Sequence, residues 1–131
     1  MLPRTTRVHF EIFKSECLYW IAKYGFSEYD VTFLHKDITE IIVDHLGKTA
    51  VIKFESIWTD EVEPLNEYSV RKAANHEIYE LLVSKLDFLA NERFGITEHL
   101  IEESRHETIN RLQNAHFNQS LQERGLKIIG K

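Results

Sequence analysis

The chain has 131 residues, 43% apolar and 11% aromatic, with 16 Lys+Arg against 21 Asp+Glu and a formal net charge of -5. That is enough apolar material for one domain with its own core; it excludes a disordered chain and argues against bulk coating of nucleic acid. The lone Cys17 closes no internal disulfide, the opening MLPRTTRVHF lacks the apolar run of a secretory signal, and no stretch is apolar for long enough to span a bilayer.

Only Pro3 and Pro64 occur and no Gly/Ser-rich linker is present, so a single domain over residues 1–131 is expected, with a core over about 8–117 and a loose, weakly basic tail over 118–131. Over residues 8–24 the apolar positions Phe10, Phe13, Cys17, Trp20, Ile21 and Tyr24 are spaced by three and four, which predicts an amphipathic helix ended by Gly25. Tyr29, Val31 and Phe33 then alternate as in a strand. Two further β-rich runs, residues 40–46 and 49–54, flank Gly47-Lys48, which predicts a hairpin with a two-residue type II′ turn; residues 37–42 are also open to a helical turn. Residues 58–66 read as an acidic loop. A long helix is predicted from Glu67 to Phe94, and a last one from an N-cap at Thr97 to about Phe117. The order helix, sheet, helix, helix defines an α+β fold.

Seven His in so short a chain raise the question of placement. Within KAANHEIYELLVSKLDFL, the residues Ala73, Ala74, Ile78, Tyr79, Leu81, Leu82, Val83, Leu86 and Leu89 surround the helix almost completely, the pattern of a buried helix. At about 100° per residue His76 and Glu80 share one face, with Glu77 about a quarter-turn away. Burying two carboxylates is costly unless each is paired, protonated or bound to a metal. An i, i+4 donor pair can grip one small cation, as the zinc peptidase motif HExxH does, with its Glu as general base. Here HEIYE puts Glu80 where that motif has its second His. A further ligand is sought in GITEHLIEESRHETINRLQNAHF, where His99, Glu102 and His106 lie off a predicted apolar stripe of Ile101, Thr108, Leu112 and Ala115. His106 would complete a set of two His and one Glu; Glu102 and His99 compete for the place. Surface or partly buried polar roles are expected for His9, His35, His45 and His116, anchoring roles for Trp20 and Trp58, and Tyr68 is a candidate oxyanion or substrate contact.

The AxxHEIYELL helix, the segment FEIFKSECLYWIAKYGFSEYDVTF and RHETINRLQN together resemble the small zinc metallopeptidases encoded in phage and prophage genomes, minimal zincins distantly similar to SprT-like and gluzincin-type proteins. The resemblance covers residues of about 8–117. It implies one zinc ion held by His76, Glu80 and His106, Glu77 as general base, a peptide or protein substrate, and the cytoplasm of a bacterial host. The departure at Glu80 keeps a second expectation open: a non-catalytic accessory module that binds a host protein on a degenerate zincin scaffold. A nucleic-acid partner has only Arg4, Arg7 and the basic tail beyond Arg124 in its favour and ranks last.

Overall fold

The structure, a computed structural model, describes residues 2–94 and 98–128; the side chains of 92–105, 108 and 115 lie outside that description. The elements are α1 (Arg7–Lys23), β1 (Asp30–His35), β2 (Glu40–Asp44), β3 (Thr49–Phe54), α2 (Glu67–Phe94) and α3 (Glu98–Glu123). The α+β layout predicted above is the one observed. No helix among the described residues is long and apolar enough to cross a membrane.

A capping box starts α1: Thr6 Oγ1 accepts the His9 amide while His9 Nδ1 accepts the Thr6 amide. It closes in a Schellman motif, with Gly25 at φ 78 and the Phe26 amide bonded to Ile21 O. β3 is the central strand: it pairs parallel with β1 and antiparallel with β2, giving the order β1-β3-β2. Residues 36–39 form a bend, not a helical turn, and Asp37 takes φ 63 there.

The β2–β3 turn differs from the two-residue type II′ turn expected. Asp44 pairs with Thr49, leaving four residues in the loop, and the left-handed position is Lys48, φ 54, instead of Gly47. Gly47 serves a different need. Asp44 Oδ1 accepts the Leu46 and Gly47 amides, and a Cβ on Gly47 would stand 2.7 Å from Asp44 Oδ2. Lys48→Gly is therefore expected to raise stability by about 0.5–1 kcal/mol, the left-handed strain of a side chain less the entropy of glycine. Gly47→Ala should lower it; urea midpoints at unchanged m-value would check both.

One cluster of buried side chains joins all the layers, including Phe13, Cys17, Trp20 and Ile21 of α1, Ile52 and Phe54 of β3, Ala74, Ile78 and Leu81 of α2, and Phe117 and Leu121 of α3. α1 packs on α2, and α2 on α3. The apolar girdle predicted around α2 holds as far as Val83, beyond which Leu86 and Leu89 are exposed. α3 departs further. Among its described side chains the buried ones are Ile109, Gln113, Phe117, Ser120 and Leu121, with Leu112 of the predicted stripe only partly buried; Ile101, Thr108 and Ala115 lie outside the description. The loose tail expected from residue 118 is helical as far as Glu123 and ends in a second Schellman motif at Gly125, φ 71, with the Leu126 amide on Leu121 O. The predicted N-cap Thr97 lies outside the described residues.

Candidate metal centre

α2 carries the candidate residues, and its first half is walled in. α1, α3 and β2 all pack on it, and residues 74–79, apart from His76, are buried. His76 and Glu80 sit one turn apart, Nε2 to Oε2 3.9 Å, and both remain partly exposed. Glu77 points inward and is 5% exposed, and its Oε2 has no hydrogen-bond partner among the described residues. One ligand atom from each of His76, Glu77 and Glu80 lies within 4.8 Å of the others. Ligands about 2 Å from one zinc ion stand 3–4 Å apart, a closure within reach of side-chain rotation. A hard or borderline cation held by His76 and Glu80 would offset two adjacent carboxylates and leave Glu77 Oε2 available to a water molecule, so the donor set fits a metal.

The local electrostatics agree with that need. Burial pushes the Glu77 carboxyl well above the usual range, and the neighbouring charge and hydrogen bond of Glu80 push it further. Burial lowers His76, against the pull of Glu80, and the charges of His106 and Lys72 lower it too. An uncharged imidazole is the form that ligates. Gln113 of α3 lines the same cavity as His76, and its Nε2 donates to Lys72 O at 2.8 Å and Asn75 Oδ1 at 2.9 Å. Gln113 thus ties α3 to the turn of α2 that carries His76. It was absent from the sequence reading, although a polar residue four positions from Ile109 and Phe117 was available to be noticed.

The structure distributes the remaining candidates as follows. His106 is exposed on α3, near enough for its charge to be felt at His76 but not within the compact group. The side chains of His99 and Glu102 lie outside the described residues. Tyr68 is buried, and its hydroxyl donates to Asn118 Oδ1 at 2.8 Å while its ring packs on Phe117. It is absent from the residues lining the cavity beside His76. That cavity, of about 270 Å³, is bounded by Thr39, Glu55, Trp58, Asp60, Lys72 and Gln113 among others, with His76 and Glu77 in its wall. The acidic loop after β3 therefore borders the site, with Trp58 fixed in it by Nε1 donating to Glu63 O at 2.8 Å.

Neither a family model, nor a curated protein, nor a solved structure matches the chain.

Proposed function

We propose that the protein is a metal-dependent hydrolase acting on peptide bonds, with zinc the expected ion. The observation that carries the reading is the buried Glu77 carboxyl, its Oε2 without a partner among the described residues, beside His76 and Glu80 in the wall of a cavity. His76 and Glu80 would hold the ion, with His106 as the candidate to swing in from α3. A bound zinc ion supplies Lewis acidity, bringing the pKa of a water molecule toward neutrality and polarising a carbonyl.

The chain's own residues do the rest. Gln113, bonded to Lys72 O and Asn75, holds α3 against the turn that carries His76. Glu77, sheltered from bulk water, accepts a proton from the attacking water at its carboxylate and hands it to the leaving amine. The outer edge of β2, which lies against α2 and leads back to Thr39 at the cavity rim, offers unpaired backbone groups to an extended peptide. The replacement of the motif's second His by Glu80 favours one rival, a binding module that retains the scaffold without the reaction.

Zinc titration of untagged, chelator-treated protein is the test. One equivalent is expected to bind, with His76→Ala and Glu80→Ala each weakening it by at least about tenfold, as loss of one ligand does. Absence of stoichiometric binding by zinc or another transition metal would sink the hydrolase reading.

A further inference from the structure

The cavity in front of His76 and Glu77 has a chemical bias of its own. Its described lining includes the carboxylates of Glu55, Asp60 and Glu63 and one ammonium, Lys72, which is spent on Glu63 through a 2.5 Å ion pair. Among the described residues no cation is paired with Glu55 or Asp60. Both are held in place before any ligand arrives. Glu55 Oε1 accepts Thr39 Oγ1 at 3.2 Å, and Oε2 accepts the Thr59 amide at 3.2 Å and Thr59 Oγ1 at 3.0 Å. Asp60 Oδ1 accepts the Val62 and Glu63 amides at 2.8 and 3.1 Å. Each carboxylate can accept about four hydrogen bonds, so Asp60 keeps Oδ2 and Glu55 keeps part of its capacity for an incoming donor. Glu77, buried and with Oε2 unpartnered, opens onto the same space.

Carboxylates positioned in this way lose little entropy on binding, and a guanidinium meets them with a planar fork of N–H donors. We infer that the cavity selects a substrate bearing a cationic side chain, arginine or lysine, close to the bond presented to His76 and Glu77. This rests on the reading of those residues as the reacting centre. An acidic or purely apolar side chain would leave Glu55 and Asp60 facing either a like charge or no partner.

Binding can be read without turnover, on the full chain with no metal added. The probes are an arginine-containing tetrapeptide and its citrulline isostere, followed by calorimetry and by the indole N–H resonance of Trp58. The arginine peptide is expected to bind on the order of tenfold more tightly and to shift that resonance, an advantage that shrinks as salt rises from 0.05 to about 0.5 M. Glu55→Gln with Asp60→Asn should erase the advantage while leaving the melting profile near that of the parent. Equal affinity for the two peptides, or no measurable binding of the arginine peptide, overturns the inference. A zinc titration of the same sample separates the two readings. Loss of zinc binding with the arginine preference intact removes the hydrolase, whereas zinc binding without the preference removes only the specificity.

Discussion

Glu77→Gln is expected to abolish hydrolysis, by about 10²–10⁴-fold for loss of a general base, and at the same time to stabilise the metal-free protein at neutral pH. The two effects share one cause. An unfolded Glu releases its proton near 4.5, whereas in the folded chain burial, then Glu80, then Glu40 make Glu77 hold its proton to higher pH. Between those values the folded state carries a proton that the unfolded state lacks. The contribution to stability is therefore complete below about pH 4.5 and is lost as pH rises through the raised folded value. Gln keeps the shape of the protonated carboxyl and does not titrate. The variant should melt like the parent at pH 4 and gain on it steadily toward pH 8, by about 1–3 kcal/mol, the cost of a buried polar group left unpaired. His76, whose proton affinity burial lowers, contributes the opposite slope: stability from it rises with pH up to its unfolded value of 6.5. That slope is common to both proteins and cancels in their difference. Thermal melts in chelator from pH 4 to 8 would read the difference directly. Parallel curves would mean that Glu77 is not the strained group described here.

How much of this was legible beforehand follows from what periodicity can encode. The bounds of α2 were, because no Gly or Pro breaks the run and the acidic loop precedes it. The pairing of β2 with β3 was, because the runs are adjacent; the parallel partnership of β1 with β3 was not, since no local pattern distinguishes which edge a distant strand joins. Gly47 marked the right turn for the wrong reason: glycine signals either a positive φ or a close approach, and here Asp44 supplies the approach. On α3 the error was one of polarity. A stripe search discards Gln113 as outward-facing, yet Gln113 is 9% exposed because its amide bonds Lys72 O and Asn75, and dropping it rotates the predicted face toward Leu112. The same bias hid the most deeply buried acid. Glu77 was found because it adjoins His76 in a motif. Glu16 was passed over, although its spacing of three from Phe13 and four from Trp20 places it on the apolar stripe of α1.

Glu16 carries the largest stability effect expected in the molecule. Its side chain is fully buried and accepts from Arg71 Nη1 at 2.7 Å, Arg124 Nη1 at 3.1 Å, Arg124 Nη2 at 2.8 Å and Trp20 Nε1 at 2.7 Å. Those bonds fill the acceptor sites of both oxygens. They also join α1 to α2 and to the residue that ends α3, since Arg124 leads into the Gly125 cap and lies over the Tyr19 ring at 3.9 Å. Glu16→Ala would leave the Arg124 guanidinium without a carboxylate partner among the described residues and Arg71 with Glu67 alone, and would orphan the buried Trp20 Nε1. Breaking a buried ion cluster in this way costs about 3–5 kcal/mol, a large share of the 5–15 kcal/mol that holds an ordinary domain. The loss should persist in 1 M NaCl, because the pair is shielded from the solvent that screens surface charges. Replacing all three charges with apolar residues (Glu16→Leu, Arg71→Met, Arg124→Met) is expected to recover most of it, because the penalty comes from stranding charges more than from losing their attraction. Urea unfolding of the single and triple variants would decide, and hydrogen exchange should show the last turns of α3 losing protection first in Glu16→Ala. A loss below about 1 kcal/mol would put the cluster in the class of surface pairs, whose net contribution is that small, and the C-terminal turn of α3 would then owe its position to Phe117 and Leu121 alone.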